Sequence, residues 1–305
     1  MKLSSLICGL MIVAGLAGRG NVAAASSAVT NASAKAPTDA APFQLGRVIC
    51  DEAIEAELIR AGTEFLKTGR GASASNIVAP PERGPVALRL PTPSRKTLTA
   101  AQVAARARAG TLVVAYLRLC KNCPNYHVVS GAGIVLTADG VIATCHHLVD
   151  DADARQFVVM TGEGRCFPVQ KVLASSSTND VVLLQLDTGG ARLTPLPLED
   201  DAPVGSRVFV LGHPESHYYT FTEGMVARHF TGQAETGVAE MLSITAEFAP
   251  GSSGCPVLNE RGNVVGMADN IVRAGYDSKK AHGASIVFKH CRPAAALRAL
   301  VSRAP

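Results

Sequence analysis

The chain has 305 residues, 29 Lys and Arg against 25 Asp and Glu, and 47% hydrophobic content, which is ample for one large or two modest packed domains. Residues 1–25 hold Lys2 and Arg19 and no acid, so the remainder stands at 27 basic against 25 acidic residues. That near balance excludes the polycationic signature of a nucleic-acid binder.

Taken in order, the chain opens on Met1-Lys2, an apolar run from Leu3 to Leu16, and small residues through Ala23-Ala24-Ala25. This predicts a signal peptide over 1–25, cleaved near Ala24 or Ala25. An uncleaved anchor is the competing reading, but the run is short for a bilayer, and no later stretch is long and apolar enough to span one. Ser26 to Ala41, rich in Ala, Ser, Thr and Pro, predicts a flexible tether. Leu45 to Thr68 has helical spacing at Ile54, Leu58, Ile59 and Phe65, and Gly69 to Arg95 reads as a linker. Residues 26–95 are therefore expected to form a tether and a partly helical extension. Thr99 is placed to cap a helix from Ala100 to Ala109 that stops at Gly110.

From Thr111 the pattern changes to short β-rich runs between Gly, Asn and Asp turns, which predicts a mostly β body. Expected strands are 111–117, 128–137, 141–144, 157–160 and 166–173, then 207–211, 218–230, 241–246, 256–258, 264–271 and 284–288. Asp139-Gly140 and Glu163-Gly164 read as hairpin turns, and 293–302 as a closing helix.

Chemistry concentrates in Pro250-Gly251-Ser252-Ser253-Gly254-Cys255-Pro256. A serine set between glycines suits a tight turn that presents one hydroxyl, and Gly251 can adopt angles that aim its N–H with that of Ser253 at one point, as an oxyanion hole requires. Serine is a poor nucleophile without a base and a group that orients the base. His147, after the apolar run Val141 to Thr144, and Asp180, before Val181-Val182-Leu183-Leu184, supply both residue types, 33 residues apart and with Ser253 a further 73 on.

With these three motifs in this order, the chain resembles the chymotrypsin-fold, trypsin-like serine peptidases, most closely their HtrA-like branch. The segments carrying the likeness are Gly131-Ala132-Gly133-Ile134-Val135 leading into His147, Asp180 with the apolar residues after it, and Gly251-x-Ser253-Gly254-x-Pro256. It covers roughly residues 111–300. It implies an all-β fold of two six-stranded antiparallel barrels over residues 96–305; the partly helical extension before them and the helix after them are read from the residues. It implies an exported, periplasmic or secreted, serine endopeptidase that acts on polypeptides through an acyl-enzyme, without cofactor or metal. His147 would be the base, Asp180 its orienting acid, Ser253 the nucleophile, and Gly251 and Ser253 the oxyanion donors. HtrA-like enzymes usually continue into a PDZ domain, and few residues follow the protease body here, so none is expected. The alternative is an idle protease fold used for binding or as a chaperone-like module.

Four neighbours of the motifs read differently. Glu247, six residues before Ser253, falls where trypsin-type enzymes have the floor of the specificity pocket, and a carboxylate there would favour a basic substrate side chain; a solvated strand-end glutamate is the bland reading. His146 and His213 read as structural. Ser252 stands where trypsin-type zymogens carry an aspartate, so activation by pairing with a new N-terminus is not expected.

Of eight cysteines, Cys8 lies in the expected signal, leaving an odd seven. Cys145 and Cys255 each lie two residues from a triad position, so a disulfide between them could staple the two halves, with two buried thiols as the alternative. Cys120-Lys-Asn-Cys123-Pro-Asn-Tyr-His127 could be half a zinc site, but no second pair exists to complete four ligands, and it reads better as a local disulfide or redox-sensitive turn.

Overall fold

The computed structural model describes residues 43–304, apart from 78–79, 81, 121–122, 235–236 and 276–283. The expected signal peptide over 1–25 and the tether over 26–41 lie outside the described residues. No described helix is long and apolar enough to cross a membrane.

Helix α1 (Asp51–Thr68) begins with Asp51 and Glu52 and ends with Lys67, charges that complement its dipole, and it stops at Gly69, whose φ of +65° places the cap in the left-handed region. Its apolar stripe of Ile54, Leu58, Ala61 and Phe65 is buried in the same core as strand residues of the body. Full burial of one such aliphatic side chain is worth about 2 kcal/mol. At the crossing, a Cβ on Gly62 would stand 2.8 Å from the Leu117 side chain, so the helix seats closely because that residue is glycine.

A short helix α2 (Ala74–Ile77) and two strands, β1 (Glu82–Arg83) and β2 (Val86–Leu88), follow. Helix α3 (Ala100–Gly110) starts at Thr99 as its sequence predicts, through a capping box with Gln102.

The first half of the body comprises β3 (Thr111–Leu119), β4 (Tyr126–Val135), β5 (Val141–Thr144), β6 (Ala154–Met160), β7 (Cys166–Ser176) and β8 (Val181–Leu186). Its order is β7-β6-β3-β4-β5-β8, and a further β7–β8 pairing closes the ring, with β1 added along β7. The second half is a closed barrel in the order β10-β11-β14-β13-β12-β9, built from β9 (Arg207–Gly212), β10 (Thr220–Ala234), β11 (Gly237–Ile244), β12 (Pro256–Asn259), β13 (Val264–Gly275) and β14 (Ala284–Pro293). Every ladder within the two rings is antiparallel. This is the expected pair of six-stranded barrels.

The C-terminal end differs from expectation. Helix α4 spans only Ala294–Ala299, because the chain then turns extended as β15 (Val301–Arg303) and pairs in parallel with β2. A three-residue parallel partner 215 positions away leaves no local signature.

Candidate active site

Strand pairing assembles the site. β5 and β8 are antiparallel neighbours with Thr144 opposite Val182, so the residues after β5 meet those before β8. The chain leaves β5 in a single 3-10 turn, His146–Leu148, and enters β8 from a turn in which Asp180 takes φ +49°. Aspartate tolerates that left-handed conformation better than most residues.

Asp180 is then anchored three ways. Its backbone oxygen accepts from the His146 N–H at 3.2 Å, Oδ1 accepts from the His147 N–H at 2.9 Å, and Oδ2 lies 2.7 Å from His147 Nδ1. With Oδ2 accepting from Nδ1–H, the free Nε2 carries the lone pair and is the ring's proton acceptor. Burial alone would raise the Asp180 pKa, but the hydrogen bonds and charge of His147 outweigh it and hold it below the ordinary value. Burial would likewise lower His147, whereas the Asp180 hydrogen bond and charge leave its pKa raised. The imidazole is about half exposed, with 48% of its side-chain surface open.

Ser253 comes from the other half, in the turn that enters β12. Its carbonyl accepts from the Ala132 N–H of β4 at 2.7 Å, which ties the nucleophile turn to the first barrel. The hydroxyl donates to the Asp269 backbone oxygen at 3.1 Å, and no bond between it and His147 is among the described hydrogen bonds. Gly251 sits at φ +92°, and a Cβ there would lie 2.5 Å from the His213 carbonyl. Within this turn the N–H groups of Ser252, Gly254 and Cys255 are engaged, while those of Gly251 and Ser253 have no partner among the described hydrogen bonds. An oxyanion site needs unspent donors, and these two lie two residues apart.

Asp269 and Arg292 were not legible as site residues. Asp269, on β13, places a carboxylate oxygen within 4.8 Å of ligand atoms on His147 and Asp180. Its charge is met by Arg292 at 2.8 Å; both side chains are buried, and the contact is an ion pair outside hydrogen-bond angles. Burial, reinforced by the Asp180 charge, raises the Asp269 pKa to about 6 against the lowering effect of Arg292. The two acids are thus pushed apart: Asp180 stays ionised, and Asp269 is the one that takes up a proton below about pH 6. Cys145 completes a four-group cluster of metal-ligand type with His147, Asp180 and Asp269. Burial drives the Cys145 pKa up, its thiol donates to the Ala268 carbonyl at 3.4 Å, and the Asp269 charge is met by Arg292.

The extension reaches the site as well. One carboxylate oxygen of Glu82 accepts from Ser176 Oγ at 3.2 Å and from the Thr178 N–H at 3.4 Å, in the turn that presents Asp180. The Pro80 carbonyl contacts His146 Nε2 at 3.3 Å, which holds that buried ring off the cleft. His213 is buried too: Nδ1 accepts from the Tyr219 N–H and Nε2 donates to the Leu112 carbonyl, each at 3.1 Å, and burial lowers its pKa to about 4. Glu247 keeps 75% of its side chain exposed, and its carboxylate lies 2.9 Å from the buried Lys289.

Of the two readings of Cys145 and Cys255, the structure has the pair of buried thiols and not the staple. Both are buried thiols: Cys145 points at the Ala268 carbonyl, and the Cys255 sulfur packs against Gly212. Cys120 and Cys123 likewise form no disulfide.

Residues 131–267 match the model of the trypsin-like peptidase domain family. Three similar sequences are a probable periplasmic serine endoprotease DegP-like of Ectopseudomonas mendocina, 28% identical over 46% of this chain and 29% of the relative; a putative serine protease HhoA of Synechocystis, 30% identical over 45% and 36%; and the serine endoprotease DegS of Salmonella typhimurium, 30% identical over 45% and 38%. The chain spans about a third of the length of the curated relatives it matches. Among solved structures, the HtrA-type protease AlgW with decapeptide aligns with TM-score 0.53 at 20% identity, covering 67% of this chain and 66% of that one. Residues 131–267 are therefore similar to a trypsin-like peptidase domain, and they lie within a pair of six-stranded barrels whose fold is shared with that HtrA-type protease structure.

Proposed function

We propose that the chain is an exported serine endopeptidase that cleaves polypeptides through His147, Asp180 and Ser253. The observation that carries this reading is the Asp180–His147 pair, which leaves Nε2 basic, set beside a serine turn with two unspent N–H donors. Export is supported by the sequence of residues 1–25 and by relatives described as periplasmic; peptide substrates are supported by the peptide-bound neighbour.

In this reading the Ser253 hydroxyl turns from the Asp269 carbonyl to His147 Nε2, gives up its proton and attacks the scissile carbonyl. Gly251 and Ser253 hold the oxyanion, each donor being worth about 3 kcal/mol. His147 then protonates the leaving amine, and water releases the acyl group by the reverse sequence. Glu247 carries a weaker proposal: a basic side chain before the scissile bond would have to displace Lys289 from it. Cleavage mapping that finds only aliphatic residues there removes that part.

The test is labelling of the purified protein by a fluorophosphonate probe. Wild type is expected to label, and Ser253→Ala and His147→Ala are not. An unlabelled, folded wild type would instead favour the idle binding module.

Asp269 acts here as a positioning residue. Its negative charge is one cause of the raised His147 pKa, so Asp269→Asn removes a charge that favours the imidazolium. Because only neutral His147 accepts the serine proton, the acid limb of the kcat/KM profile is expected to move to lower pH in Asp269→Asn. A limb that stays in place, measured on a substrate of constant charge, rejects the coupling.

A further inference from the structure

The hairpin joining β3 to β4 presents three soft-metal donors on one side. In the ladder Arg118 pairs with His127 and Leu119 with Tyr126, and the Cys120 N–H continues the pattern by donating to the Asn125 carbonyl at 3.0 Å. Cys120 lies two residues beyond Arg118, on the same face, which makes His127 its diagonal cross-strand neighbour. The outcome is that one ligand atom each from Cys120, Cys123 and His127 lies within 4.8 Å of the other two. The sequence sets His127 four residues after Cys123; the strand register is what brings it to the side of Cys120.

The spacing fits a particular geometry. Zinc takes thiolate sulfur at about 2.3 Å and imidazole nitrogen at about 2.0–2.1 Å, and tetrahedral angles then set sulfur and nitrogen about 3.6 Å apart. Cys123 Sγ and His127 Nε2 are 3.6 Å apart. We propose that Cys120, Cys123 and His127 bind one thiophilic divalent ion of the zinc type, clamping the hairpin tip and leaving its fourth coordination position open to water. Binding displaces the thiol protons of both cysteines to solvent, while the His127 proton stays on Nδ1, so affinity falls as pH falls. Both cysteines are partly accessible and the histidine is exposed, which gives an ion a direct path from solvent.

The site is distinct from the catalytic cluster, and the test separates the two. The full chain is reduced, given Zn2+, and dialysed before its metal content is measured; Co2+ is added in parallel to read thiolate-to-cobalt charge transfer. One equivalent of zinc and the cobalt band are expected in wild type and in His147→Ala. Both are expected to be lost in Cys123→Ser and in His127→Ala, with thermal unfolding showing that those variants remain folded. No retained metal after reduction overturns the proposal. So does metal that survives Cys123→Ser and His127→Ala, or metal that is lost with His147→Ala instead.

Discussion

Asp180→Asn is expected to fold normally and to lose on the order of 10^4 in turnover, the scale seen when the orienting acid of a serine triad becomes an amide. The reason lies in the two acceptor sites that Asp180 uses at once, one for the His147 N–H and one for Nδ1–H. Asparagine keeps a single acceptor oxygen. If that oxygen stays on the backbone N–H, the amide NH2 faces Nδ1 and forces the tautomer with its proton on Nε2. Such a ring cannot take the Ser253 proton. Single-turnover acylation with an activated ester measures the loss, and an Asp180→Asn enzyme within tenfold of wild type would remove Asp180 from the role assigned to it.

Gly254→Ala should be the most damaging single methyl in the site. Gly254 lies at φ +90°, and a Cβ there would stand 2.1 Å from the Ala132 carbonyl and 2.7 Å from Thr144 Oγ1. Neither neighbour yields: Thr144 Oγ1 donates to that same carbonyl, and the Ala132 N–H holds the Ser253 carbonyl. Backbone strain of about 1–2 kcal/mol adds to overpacking of about 1–3 kcal/mol. The expected result is a loss of about 3 kcal/mol or more in denaturant unfolding, together with loss of fluorophosphonate labelling as the turn shifts against His147. Wild-type stability in this variant would mean that the two halves are less tightly joined here than the contacts imply.

How much of this the sequence announces depends on whether a feature is local. The strand 141–144, the glycine turns at 140 and 164 and the Thr99 cap are fixed by neighbouring residues, and the structure places them where the pattern puts them. The family motifs carried the barrel pair, which alternation alone reads only as mostly β. Asp269 and Arg292 escaped because a lone Asp within a strand and a lone Arg near a strand end look like ordinary surface charges. Only the β13–β14 ladder, which pairs Ala268 with Cys291, brings them to the back of the catalytic pair. The choice between a staple and two thiols at Cys145 and Cys255 stayed open for a related reason: proximity to triad residues in sequence sets where a cysteine lies, not where its sulfur points.

The segment from Asp51 to Arg83 contributes a buried helical stripe to the body, a strand to β7, and a carboxylate to the turn behind Asp180. A protease that cut the exposed stretch between Gly84 and Arg95 would therefore release nothing. The two fragments would stay interlocked and copurify, as a nicked enzyme does, and separating them would cost the stability of the fold itself. Release of residues 51–83 by a single cut behind them is therefore opposed by the packing and pairing that hold them to the body.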